Sequence, residues 1–146
     1  MHKFLSVVVF AFLVLFASGC GNKAYVQGKV HYPDGSPVSA GRVRFTAGDK
    51  SYSCKIASDG SYRIGSYRDG DGIPPGTYKI SITGAYVFMD PPPGEPYPVS
   101  VQLVAKKYTD PGTSGIVCDT TASKNFDIAV EKPGPDDYPV YGPDNP

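Results

Sequence analysis

From residue 24 onward, apolar side chains recur at every second position in short bursts separated by turns. A period of two places them on one face of a strand. Val26, Gly28 and Val30 share a face against Gln27, Lys29 and His31, until Pro33-Asp34-Gly35-Ser36-Pro37 breaks the chain. Val43 and Phe45 alternate with Arg42, Arg44 and Thr46, and Tyr52, Cys54 and Ile56 with Ser51, Ser53 and Lys55. Ser58-Asp59-Gly60 turns the chain into Tyr62 and Ile64. After a glycine-rich stretch from Gly65 to Gly76, Tyr78, Ile80 and Ile82 face away from Lys79, Ser81 and Thr83. The segment Asp90 to Pro98 carries five prolines and cannot pair as a central strand, because proline lacks the amide donor. Val99, Val101 and Leu103 give one more short strand at an edge, Ile116 and Cys118 share a face, and Phe126, Ile128 and Val130 close the series.

Seven or eight short strands with turn residues between them predict an all-β domain of immunoglobulin size, a two-sheet sandwich of Greek-key type. Nothing after residue 24 keeps a helical period. The 146 residues suffice for one domain. Seventeen glycines and fifteen prolines fall mostly between the apolar runs, as punctuation rather than low complexity. From Pro133 the chain reads PGPDDYPVYGPDNP, which cannot supply a packed element. That tail, 133–146, is either disordered or an extended strap, with Tyr138, Val140 and Tyr141 as the groups able to dock it.

The N-terminus has a different character. His2 and Lys3 precede an apolar run from Phe4 to Phe16 broken only by Ser6. A run of this length suits a secretory signal, whereas a bilayer span needs about 20 residues. Ala17-Ser18-Gly19-Cys20 resembles a bacterial lipobox, although Ala17 stands where leucine is usual. The reading is a lipoprotein signal peptide over 1–19, lipidation of Cys20, and a short tether over 20–23; an ordinary signal peptide cut nearby is the competing reading. Stable anchoring takes more than one acyl chain. Asn22, rather than aspartate, follows Gly21, which by resemblance to the usual sorting rule points to the outer membrane, facing the periplasm or the cell surface.

Lipidating Cys20 leaves Cys54 and Cys118 of the three cysteines, in a compartment where disulfides persist. Both fall on apolar strand faces, so a bridge across the sandwich is expected; two free buried thiols are the alternative. Lys+Arg and Asp+Glu balance at 14 each, which gives no reason to expect a nucleic-acid partner.

Several segments resemble a known family. Val26-Gln27-Gly28-Lys29-Val30, Asp34-Gly35-Ser36-Pro37-Val38 and Gly41-Arg42-Val43-Arg44-Phe45 are similar to the opening of bacterial carboxypeptidase regulatory-like domains, also described as transthyretin-like or prealbumin-like sandwiches. Asp59-Gly60-Ser61-Tyr62 looks like the next hairpin of that family. Gly70-Asp71-Gly72-Ile73-Pro74-Pro75-Gly76-Thr77-Tyr78-Lys79-Ile80 resembles a segment of the small lipoproteins that carry the domain, as do Lys107-Tyr108-Thr109-Asp110-Pro111 and Asn125-Phe126-Asp127-Ile128. The resemblance spans roughly 24–131; Ala105-Lys106 departs from it, and the two cysteines and the tail are peculiar to this chain. It implies an immunoglobulin-like or transthyretin-like sandwich over 24–132 with an accessory or binding role and no peptidase activity.

Candidate chemistry is sparse. His31 is the single histidine after the signal segment and lies on the polar face of its strand, so a nucleophile would have that one base. Asp69-Gly70-Asp71-Gly72 looks like the start of a calcium loop, but no glutamate completes it, and turn formation accounts for both acids. Zinc on His31, Cys54 and Cys118 would need a fourth ligand. No metal, cofactor or catalytic residue is assigned. Tyr67, Tyr86, Tyr97 and Tyr108 fall in loops, and of these Tyr67, Tyr97 and Tyr108 are the candidate contacts for stacking on sugars or a partner protein. The expected function is a non-catalytic, lipid-anchored binding or scaffolding module of the cell envelope, with an envelope protein as partner; the alternative is a wall-polysaccharide-binding module.

Overall fold

A computed structural model describes residues 21–138. Cys20, the signal segment and the tail beyond Tyr138 lie outside the described residues. The described residues form an all-β sandwich with nine strands: β1 (Gln27–His31), β2 (Arg42–Ala47), β3 (Lys50–Lys55), β4 (Ser61–Arg63), β5 (Thr77–Thr83), β6 (Tyr86–Met89), β7 (Val99–Gln102), β8 (Ile116–Asp119) and β9 (Ile128–Ala129). One sheet has the order β4-β1-β9, the other β3-β2-β5-β8, and β6 and β7 form a separate two-stranded hairpin. A short 3-10 helix, Lys106–Thr109, is the one helical element among the described residues.

The alternation read from the sequence is the alternation that is buried. Val26 and Val30 with Tyr62, Ile64, Ile128 and Val130 meet Val43, Phe45, Ile80 and Ile82 from the facing sheet, all nearly without solvent contact. Each fully buried side chain of this size contributes about 1.5–3 kcal/mol relative to exposure. Phe45 spans the layers, its ring centroid 6.2 Å from that of Tyr62 and 6.0 Å from that of Tyr78. The Tyr62 hydroxyl donates to the carbonyl of Phe126 at 2.5 Å, so a ring inside the sandwich satisfies its polar atom on the segment that leads into β9.

Three turns share one device. Asp34, Asp59 and Asp119 each accept from the amide and hydroxyl of the residue two positions on, Ser36, Ser61 and Thr121, over 2.5–3.0 Å. These bonds favour the charged carboxylate and hold all three below the usual carboxyl range. Within the Asp59 turn, Gly60 has φ +82°, and a Cβ there would stand 2.6 Å from the Val30 carbonyl oxygen. Glycine therefore meets both a backbone and a packing requirement at that point.

β1 and β9 are parallel neighbours, with Val30 opposite Ile128 and His31 opposite Ala129. This brings Lys124 and Asn125 beside Gln27, whose amide donates to the Lys124 carbonyl at 3.0 Å. The start of the described chain is fastened by a reciprocal pair between Ala24 and Ile73, at 2.7 and 3.0 Å. Ala24 thus marks the end of the sandwich where β5 begins. The β6–β7 hairpin is rooted where β5 finishes, at the far end of its seven residues, roughly 20 Å along the strand.

Candidate functional site

The two inward cysteines do not meet, which corrects the expected Cys54–Cys118 bridge. Both are free thiols and both are buried. Cys54 is opposite Val43 on β3, Cys118 is opposite Tyr78 on β8, and these are the two outer strands of a single sheet. Three strand spacings, about 14 Å, separate them across the sheet, before a four-residue offset along β5 is added. A disulfide needs Cα atoms within about 7 Å. Apolar-face alternation was right for each cysteine but carries no information about which sheet a strand joins. Burial pushes the Cys54 thiol up to about 12 and the Cys118 thiol to about 11, the opposite of what a reactive thiolate requires.

The three nominated tyrosines also part company. Tyr67 is 94% exposed and Tyr97 is 78% exposed, but Tyr108 is only 7% exposed and belongs to the core cluster. A contact role for Tyr108 is therefore withdrawn; its ring packs beneath the 3-10 helix, with the Lys107 ammonium 5.0 Å from the ring centroid. Tyr67 sits in the loop closed by Ser66 onto Gly72, next to Ala24 and Ile73. Tyr97 belongs to the loop of the β6–β7 hairpin, rooted at the opposite end of the sandwich. The two exposed rings are thus carried by different ends of the fold rather than by one platform.

Other sequence candidates are tied into local structure. Asp71 accepts from the amides of Ser66, at 2.6 Å, and Tyr67, at 3.3 Å, and so acts as the clamp of its own loop. His31 Nδ1 lies 2.9 Å from the carbonyl oxygen of Tyr32.

What the period-two reading missed is β6. Tyr86, expected in a loop, begins the unbroken apolar run Tyr86-Val87-Phe88-Met89, which pairs with β7 from Tyr86 opposite Gln102 to Met89 opposite Val99. Its flanks carried the signal: an apolar run, a proline-glycine segment, then Val99-Ser100-Val101. One face of the hairpin has Val87, Met89, Val99 and Val101, while the other has Tyr86 and Phe88, packed edge to face at 5.5 Å between centroids, opposite Gln102 and Ser100. Val87 is half-buried, and most of the remaining apolar surface is left in solvent. Phe88 is 68% exposed, and Tyr86, Met89, Val99 and Val101 are exposed with it.

A two-stranded hairpin is marginal by itself, and this one is held at its root. The Leu103 amide donates to the Ala85 carbonyl at 2.8 Å, and the Tyr32 hydroxyl donates to the Leu103 carbonyl at 2.7 Å. The Tyr138 hydroxyl donates to the adjoining Val104 carbonyl at 3.0 Å. The described beginning of the tail is therefore docked on the domain at this same root. No protein-family model, curated protein or solved structure matches the chain.

Proposed function

We propose that this chain is a non-catalytic cell-envelope lipoprotein, tethered through Cys20, whose sandwich of carboxypeptidase regulatory-like type presents the β6–β7 hairpin to a protein partner. The observation that carries the reading is the hairpin's exposed apolar surface: Met89, Val99 and Val101 on one face, Tyr86 and Phe88 on the other. Exposed apolar surface of this kind marks interaction sites in soluble domains. Two features favour a protein over a bilayer as its occupant. The hairpin is rooted at the end of the sandwich opposite Ala24, so it faces away from a membrane holding the N-terminus. Between Tyr86 and Gln102 the only charged residues are Asp90 and Glu95, whereas membrane-surface segments rely on Lys and Arg. The partner would offer an apolar groove, or a strand edge that extends the hairpin.

Non-catalytic action is supported by the burial of both thiols and by the ties on His31 and Asp71 described above. Outer-membrane placement rests on the sequence after Cys20. The polysaccharide reading loses its shared tyrosine platform, since Tyr108 is interior and Tyr67 and Tyr97 belong to different ends.

The test is photo-cross-linking in intact cells, with a photoreactive phenylalanine in place of Phe88 or of Lys50. One discrete adduct from position 88, absent from position 50 and abolished by Met89→Ser, is the expected result. Adducts to lipid alone, to a second copy of the chain, or to nothing would overturn the reading.

A further inference from the structure

A groove of about 410 Å³ runs along the polar face of β1 at the tether end, lined among others by Tyr25, Gln27, Arg63, Lys124 and Asn125. Its polar groups form a directed chain from β4 across β1 to Asn125, which bridges to Gln27 ahead of β9. Arg63 Nε donates to Gln27 Oε1 at 3.0 Å, and Gln27 Nε2 donates to Asn125 Oδ1 at 3.3 Å. A guanidinium has no acceptor, so its donation fixes which end of the Gln27 amide faces it. That choice turns Gln27 Nε2 toward Asn125, which in turn leaves Asn125 Nδ2 pointing onward as a donor. Each carboxamide oxygen thereby already accepts one bond inside the chain.

What remains for a ligand is mainly donors, with the only formal charges positive. Among the described residues, the terminal nitrogens of Arg63, the Lys124 ammonium and Asn125 Nδ2 have no protein partner; the single ion pair joins Lys107 and Glu131. No carboxylate lines this groove. Of the two acids that flank the Gly70 wall, Asp71 is turned into its own loop and Asp69 is exposed outside the lining, while Asp127, alongside β1, accepts from the Lys29 amide at 2.8 Å. A surface of unpaired donors with two cations suits a ligand of acceptors bearing negative charge.

Tyr25 adds a flat apolar wall. It is 61% exposed, and one side of its ring rests over Gly72, where a Cβ would stand 3.2 Å from Cε1. The remaining ring face is open beside the cations, an arrangement that suits a sugar ring stacked with an acidic substituent on the donors.

We propose that this groove binds an acidic saccharide, its carboxylate or phosphate held by Arg63 and Lys124 with Asn125 Nδ2, and its ring seated on Tyr25. The site shares no residue with the hairpin and stands or falls independently of it. The experiment is calorimetric titration of the full chain in detergent micelles with trigalacturonate, with its fully methyl-esterified form, and with inorganic phosphate. Trigalacturonate is expected to bind at least tenfold more tightly than the ester, and Arg63→Gln and Lys124→Gln are each expected to weaken it about tenfold. Tyr25→Ala should weaken the trisaccharide without changing any response to phosphate. Equal affinity for acid and ester, no binding of the acid, indifference to Arg63→Gln, or phosphate binding as tightly as the trisaccharide would each overturn the proposal; circular dichroism of each variant separates loss of the site from loss of the fold.

Discussion

Cys54 and Cys118 stand on the two outer strands of one sheet, facing the same core with β2 and β5 between them. The expected outcome is that both stay reduced even when the protein is recovered from an oxidising compartment. Alkylation after denaturation without reductant, read by mass spectrometry, should label both residues. Native protein near pH 8 should label neither over the same period, because the thiols are buried and ionise only far above that pH.

Stability should depend on pH at both extremes, with opposite signs. Cys54 is raised from 9.0 to about 12 in the folded chain. Between those values the unfolded chain has released a proton that the folded chain keeps, so stability is full below about pH 9 and is lost as pH climbs toward 12. Tyr62, also pushed up by burial, acts in the same direction. Asp34, Asp59 and Asp119 are lowered, so their contribution is present above the unfolded value of 3.8 and fades as pH falls through the lower folded values. Chemical denaturation across the pH range should show both slopes. Cys54→Ala should flatten the alkaline one, and Ser61→Ala should weaken the acid one.

Gly28 is the second residue of β1, where an ideal Cβ would stand 2.1 Å from the Phe126 carbonyl oxygen and 2.6 Å from its carbon. Those are backbone atoms, so no side-chain rotation relieves the clash. Gly28→Ala should cost about 2–4 kcal/mol, measured by urea denaturation, through displacement of the segment leading into β9.

Two serines near β5 should respond in opposite ways. Ser114 Oγ donates to the Ile80 carbonyl from a buried position, and Ser114→Ala should cost about 1–3 kcal/mol. Ser81 is buried with its hydroxyl unpaired among the described residues, so Ser81→Ala should be neutral or stabilising by up to about 1 kcal/mol. Thermal melts of the two variants side by side provide the check.

The strand faces were legible because burial on a sandwich is set by local alternation, and Val43, Phe45, Tyr78, Ile80 and Ile82 needed no knowledge of their partners. Sheet membership was not legible. Cys54 and Cys118 each read as inward, yet whether inward residues face each other or lie side by side depends on pairings sixty residues apart. The hairpin was hidden for another reason: with both faces apolar, Tyr86 to Met89 shows no period of two. The groove lay beyond sequence reasoning because Gln27, Arg63 and Asn125 are ordinary polar-face residues until parallel pairing of β1 with β9 brings them together. Tyr108 read as a loop ring, and the short 3-10 helix that buries it carries no periodic signal.

Exposed hairpin side chains should be free to change. Phe88→Ser with Met89→Ser should shift the melting temperature by no more than the equivalent of about 0.5 kcal/mol, since neither ring nor thioether is packed against the sandwich. A larger loss would place these residues in the core of the fold.

Amide hydrogen exchange, followed residue by residue on the protein alone and again in native envelope membranes, tests the central claim most directly. In the isolated protein, β6 and β7 amides should exchange far faster than those of β2 and β5, and in envelope membranes they should slow at least tenfold while the tether-end loop at 65–72 does not change. Hairpin amides already as protected as those of β5 in the isolated protein, or unaltered by the membranes, would contradict the view that 86–102 is a surface waiting for a partner.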